Sequence, residues 1–198
     1  MKEKGENEME GYEYEGYAPS DVREALILAG IEEIEEHGPD GFSLRRVASK
    51  CGVSCAAPYK HFKNKETLLS AIVSYIGEKQ AMLEEHILEV FPTHDAECLI
   101  ELCLASVRFW IGNPHFRAVR MANGMNAERS LTAIGDAAER LLSELSVSLS
   151  EEERAMRLYT VRSLVAGATL MLEDGSLPSE ASTFRLIREA LRRALFLS

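Results

Sequence analysis

The 198-residue sequence contains no apolar run approaching the ~18–20 residues that a membrane-spanning helix requires, so no membrane association is expected. Its first residues are acidic and lack the basic, apolar and small-residue segments of a secretory signal; a cytoplasmic location is expected. Cysteine is scarce. Cys51, Cys55, Cys98 and Cys103 form no CxxC pair, and Cys98 and Cys103, five positions apart, fall about 140° apart around a helix. Reduced packing cysteines are expected, with Cys55 set apart on an exposed helix where a thiol is open to oxidants or electrophiles. The five histidines make no metal-spaced cluster, and no glycine-rich phosphate loop or nucleophile motif appears. Catalytic residues, cofactor and metal are therefore all expected to be none, and the protein is not expected to be an enzyme. Strand signals are very few, and no internal repeat is visible.

What is present is an ordinary globular composition, 46% hydrophobic and 27% charged, with an uneven charge distribution. The chain carries 22 basic and 32 acidic residues, net −10. Yet from Ser43 to Lys65 it holds Arg45, Arg46, Lys50, Lys60, Lys63 and Lys65 and not one acid. That segment is +6, and the other sixteen basic residues face all 32 acids, net −16. A protein that coats nucleic acid non-specifically would not be so acidic overall, whereas one local cationic patch suits a single docking face.

The pattern is all-α, about nine helices. Residues 1–17 hold two lysines against six glutamates with no apolar periodicity and are expected to be a disordered acidic tail. Ser20 is expected to cap a helix to about residue 37, with Val22, Leu26, Ile27, Ile31 and Ile34 at helical spacing. Ser43 caps "LRRVASK", closed by a Cys51-Gly52 turn. Ser54 is expected to cap a second short helix, 54–62, and Asn64 a long one to about 89. Two short helices joined by a glycine-containing turn make a helix-turn-helix. Further on, Thr93, Asn113 with Pro114, Asn126, Ser150 and Pro178 read as helix starts. In "AMRLYTVRSLVAGATLML" apolar residues occupy nearly every face, and Phe184, Ile187, Leu191, Ala194 and Leu195 form a stripe on the last helix. That pair is expected to be buried by a second subunit.

A cationic helix-turn-helix on a two-fold dimer points to duplex DNA, since phosphates attract the basic segment and small residues at a helix start allow close approach to base edges. Cys55, Ala56 and Ala57 permit that approach but carry no bidentate donors. Direct readout is left to alanine–thymine methyl contacts or to hydrogen bonds from Arg45, Tyr59 and Lys60.

The run Gly41-Phe42-Ser43-Leu44-Arg45-Arg46-Val47-Ala48, then Gly52-Val53-Ser54, Tyr59-Lys60-His61-Phe62 and Lys65-Glu66-x-Leu68-Leu69, resembles the DNA-binding domain of TetR-type transcriptional regulators over roughly residues 20–70. The resemblance implies that Ser43, Tyr59, His61 and Lys65 contact phosphates while Arg45, Cys55, Ala56 and Ala57 face bases. Arg46, Ser54 and Lys60 complete the expected DNA-binding set. Some members of the family carry a basic arm before the first helix; here the first 17 residues sum to −4, which argues against one. The resemblance also implies a helical C-terminal domain that encloses a small molecule and dimerises through the last two helices. Phe109, Trp110, His115, Phe116, Met121, Met125 and Met171 offer aromatic and thioether surface suited to such a pocket. Arg162, in an apolar helix, needs a carboxylate partner or an anionic ligand.

The expected organisation is a tail over 1–17, a helix-turn-helix domain over 18–70 and an effector-binding and dimerisation domain over 71–198. The expected function is that of a homodimeric repressor binding a palindromic double-stranded DNA operator and released by an unknown small-molecule effector. A DNA-tethered adaptor that recruits a protein and has no effector is the alternative.

Overall fold

The structure, a computed structural model, describes residues 21–91, 93–123 and 134–196. The expected acidic tail, Ser20, Met125 and Asn126 lie outside the described residues. Nine helices and no strand occur among those described: α1 (Val22–His37), α2 (Leu44–Lys50), α3 (Pro58–His61), α4 (Lys65–Val90), α5 (Ala96–Gly112), α6 (Phe116–Asn123), α7 (Gly135–Glu144), α8 (Glu151–Glu173) and α9 (Ala181–Phe196). No helix among them is long and apolar enough to cross a membrane.

Two buried clusters organise the chain. The first gathers Leu26, Ile27, Ile31 and Ile34 of α1, Val47 of α2, Phe62, and Leu68, Ile72 and Ile76 of α4. The three α4 residues are fully buried at i, i+4 and i+8, so one stripe of that helix is committed to the N-terminal core. Burying three such side chains stabilises by roughly 5–8 kcal/mol against an extended chain, an upper bound. Gly30 lets α1 approach α4: a Cβ there would meet Ile72 Cδ1 at 2.7 Å. Phe109 and Trp110 of α5 and Phe116 and Val119 of α6 belong to this same cluster. The second cluster is built around α5, with Leu99, Leu102 and Cys103 packed against Leu141 and Leu142 of α7, Val161 and Val165 of α8, and Ile187, Leu191 and Leu195 of α9.

α4 runs through both. Its 26 residues span about 39 Å, and the expected boundary at residue 70 falls inside it. Asn64 starts it with a capping box: its side chain accepts from the Thr67 amide at 2.9 Å, and Thr67 Oγ1 accepts from the Asn64 amide at 3.0 Å. Ser150 and Glu153 start α8 in the same way.

Several expected helix starts are corrected. α1 is capped by Asp21, whose carboxylate accepts from the Glu24 amide at 2.8 Å. Asp95, not Thr93, caps α5; a carboxylate takes the Glu97 and Cys98 amides, and Thr93 only donates its hydroxyl to Asp95. Asn113 closes α5 instead of opening the next helix, with its side-chain amide donating to the Phe109 carbonyl at 2.7 Å. α9 begins at Ala181, after a Pro178–Glu180 turn. Its stripe of Ile187, Leu191 and Leu195 faces the chain's own α5 core, so it is not the partner surface it was expected to be.

The four cysteines are free, with Cys98 and Cys103 buried and Cys55 exposed. Burial pushes the Cys103 thiol up to about 12, which makes it an inert packing group.

Candidate nucleic-acid interface

The helix-turn-helix is assembled from short-range bonds. Ser43 occupies the N-cap position of α2 without a side-chain cap bond; its amide donates instead to Glu33 Oε1 at 3.2 Å. After Cys51 the chain reverses at Gly52, whose φ of +66° lies in the left-handed region that favours glycine. The Val53 amide donates back to the Ala48 carbonyl at 3.0 Å.

The expected Ser54 cap is corrected. Residues 54–57 form a turn closed by the Ala57 amide on the Ser54 carbonyl at 2.9 Å, and α3 starts only at Pro58. Proline therefore occupies the first helical position, where its missing N–H costs no intrahelical bond and its fixed φ suits the helix. Pro58 and Phe62 are buried and anchor α3. The opposite face holds Cys55, Ala56, Tyr59, Lys60 and His61, all exposed. Tyr59 is 60% exposed, so it does not pack into the N-terminal core.

The six basic residues divide into two kinds. Arg46 Nε donates to Glu33 Oε1 at 2.7 Å, and its other end reaches the Gly41 carbonyl. Lys50 Nζ donates to Glu36 at 2.7 Å and sits 3.6 Å from Glu32; that bond raises the lysine pKa and lowers the glutamate pKa. These two cations hold α2 to α1. Arg45, Lys60 and Lys63 make no ion pair among the described residues. Lys65 donates to the neutral Pro39 carbonyl at 2.8 Å, over the Phe42 ring. These four cations thus have no carboxylate partner among the described residues, and the +6 of the sequence is an upper figure.

Of the expected pocket residues, three come together and the others described stand apart. Phe109, Trp110 and Phe116 are buried in the N-terminal cluster, with Arg120 stacked 4.7 Å over the Trp110 ring. His115 is exposed and bonds Glu35 of α1 at 2.8 Å; Met121 and Met171 are exposed. Arg162 finds its carboxylate within the subunit, Glu139 of α7 at 2.8 Å.

Sequence reasoning missed a buried polar cluster between α4, α5 and α7. Glu84 Oε2 accepts from the Ala137 amide at 3.2 Å, Gln80 Nε2 lies 3.5 Å from Ser106 Oγ, and Ser106 Oγ lies 3.0 Å from the Ile134 carbonyl. Burial raises the Glu84 pKa against the backbone bonds that lower it. Gly135, at φ +72°, lies directly against the Glu84 carboxylate. A polar residue three or four positions from apolar ones on α4 was the available signal.

Residues 26–72, which hold α1 from Leu26, the turn, α3 and the start of α4, match the family described as "Bacterial regulatory proteins, tetR family". The chain thus carries a helix-turn-helix segment of the TetR type. It is 44% identical over 50 residues to the tetracycline repressor protein class C of Escherichia coli, covering 25% of this chain and 23% of that one. It is 29% identical over 159 residues to the class A tetracycline repressor from transposon 1721 of Escherichia coli, covering 76% of this chain and 66% of the relative. The matches thus span about a quarter and about two thirds of those relatives' lengths. The chain also shares its all-α fold with a Rhodococcus sp. RHA1 protein of unknown function, at TM-score 0.66 and 22% identity over 91% of this chain and 97% of the other.

Proposed function

We propose that this chain is a DNA-binding transcriptional repressor that acts in the cytoplasm as a homodimer on a palindromic operator and leaves it when a small molecule binds among its C-terminal helices. The observation that carries the DNA-binding part is the exposed face of α3, where Tyr59, Lys60 and His61 stand among uncompensated cations while Pro58 and Phe62 fix the helix from behind. Arg45, Tyr59, Lys60, His61 and Lys63 take phosphates or base edges. Ser43, Ser54, Cys55, Ala56, Ala57 and Lys65 bring the backbone close, and Arg46 acts by positioning α2 through Glu33.

Dimerisation is supported by apolar surface that the subunit leaves uncovered. Met156, Tyr159 and Leu170 on α8 are 62%, 70% and 44% exposed, and Leu186 on α9 is 63% exposed. A two-fold pairing through these faces covers them and repeats α3 at the ~34 Å spacing of successive major grooves.

Effector control is supported by two buried polar atoms with no hydrogen-bond partner among the described residues, Trp110 Nε1 and Glu84 Oε1, one a donor and one an acceptor. A bound polar molecule satisfies such groups. Two routes connect the C-terminal helices to α3: α4 itself, tied at its start to the α1–α2 loop by Lys65, and α6, which bonds α8 through Arg120–Glu173 at 2.8 Å and is preceded by His115, bonded to Glu35 of α1. No catalytic step is assigned to any residue.

The test is selection of genomic fragments by the full chain, followed by titration of the selected duplex with and without compounds that raise the melting temperature. Release of DNA by such a compound supports the sensor. Retention of DNA with every stabilising compound, together with capture of a protein, favours the adaptor instead.

A further inference from the structure

The last turn of α1 carries Glu33, Glu36 and His37 at i, i+3 and i+4, on one helical face. Each carboxylate divides its oxygens. Glu33 Oε1 takes Arg46 and the Ser43 amide, and Glu36 Oε1 takes Lys50. The other two oxygens converge on one imidazole nitrogen: Glu33 Oε2 lies 3.4 Å and Glu36 Oε2 3.7 Å from His37 Nδ1. The Glu33 side chain is 0% exposed, and its Oε2 has no hydrogen-bond partner among the described residues. A wholly buried carboxylate oxygen left in that state is costly. His37 is 40% exposed and gives the trio an opening to solvent.

We propose that Glu33 Oε2, Glu36 Oε2 and His37 Nδ1 form a binding site for a divalent transition-metal cation, of which Zn2+ fits the donor set. The three donor atoms all lie within 4.8 Å of one another. Tetrahedral Zn2+ with arms of about 2.1 Å sets its donors roughly 3.4 Å apart, so the observed spacing needs only small side-chain adjustment. One imidazole and two carboxylates suit Zn2+, Co2+ or Mn2+ better than the all-oxygen preference of Ca2+ and Mg2+. The end of α1 adds its carbonyl dipoles, which favour a cation. Water completes the coordination from the exposed side. Because both carboxylates keep their second oxygens on Arg46 and Lys50, a bound ion joins α1 rigidly to α2, the first helix of the DNA-binding unit. Mixed carboxylate–imidazole spacing on one helix is not marked by clustered histidines or cysteines, which is why the site is not legible from residue spacing alone.

The test is calorimetric titration of ZnCl2 into the untagged full chain, alongside His37→Ala and Glu36→Gln, with melting temperatures recorded with and without Zn2+. Loss of a group that only hydrogen-bonds to a metal ligand already weakens metal sites roughly 10–100-fold, so removing a ligand is expected to weaken Zn2+ binding at least about tenfold. It should also abolish the Zn2+-dependent rise in melting temperature. Both substitutions lie on exposed side chains and leave the metal-free protein folded. Equal Zn2+ affinity in the wild type and His37→Ala, or no Zn2+ binding by the wild type, overturns the proposal.

Discussion

Replacing Arg46 by alanine takes from Glu33 its cationic partner across the α1–α2 contact and leaves a fully buried carboxylate with the Ser43 amide alone on Oε1. Breaking a fully buried ion pair from one side costs roughly 3–5 kcal/mol. Arg46 is 45% exposed, so water screens its end of the pair and the expected loss is smaller, about 2 kcal/mol. For a chain of this size that lowers the melting temperature by roughly 4–8 °C. Adding Glu33→Gln removes the stranded charge, and the double variant should recover about 1 kcal/mol relative to Arg46→Ala alone. Urea unfolding and calorimetry at fixed protomer concentration read both numbers. A loss below about 0.5 kcal/mol in the single variant, which is the range of an ordinary surface change, would falsify the structural role of this pair.

Other expected outcomes follow from the same geometry. Gly135→Ala forces a side chain into the Glu84 carboxylate at a positive φ and should destabilise by more than about 1 kcal/mol, read by urea midpoint; an unchanged midpoint contradicts the packing described. The Glu84 pKa is raised by burial, so the fold prefers the protonated form, and its contribution to stability is lost as pH rises from the ordinary carboxylate range through the raised value. Glu84→Gln should accordingly gain stability relative to the wild type as pH is raised over that interval; parallel curves contradict the assignment. Tyr159→Glu with Leu170→Glu should convert a dimer to monomer in sedimentation, and an unmoved dimer places the interface elsewhere. Arg45→Ala should weaken binding to the selected duplex by roughly 5–100-fold while leaving the melting temperature in place, the reverse of the Arg46 result.

The contrast between Arg45 and Arg46 shows where the sequence stops being legible. Local rules located α2, the Gly52 turn, and the starts of α4 and α8, because a cap and its partner lie three residues apart and Asn64–Thr67 and Ser150–Glu153 satisfy each other regardless of the rest of the fold. Adjacent arginines look alike until α1 is folded against α2 and Glu33, thirteen positions away, takes one of them. Competing caps failed for a related reason. Thr93, Asp95 and Asn113 all have capping chemistry, and which one is used depends on where the α5 core begins. The α9 stripe showed an apolar face correctly but not what covers it, since periodicity carries no information about whether the facing helix is α5 or another subunit. Phe109, Trp110 and Phe116 read as pocket lining by chemistry alone, and their place in the core shared with α1 and α4 is a matter of tertiary path.

The most direct measurement is fluorescence-anisotropy titration of a selected operator duplex with the wild type and with Tyr59→Ala, each checked for an unchanged melting temperature. Salt-dependent binding by the wild type is expected, with a preference for the selected duplex over a scrambled one, and at least about tenfold weaker binding by the variant. Equal binding by both proteins, or no preference between the two duplexes, contradicts a DNA-reading role for the exposed face of α3.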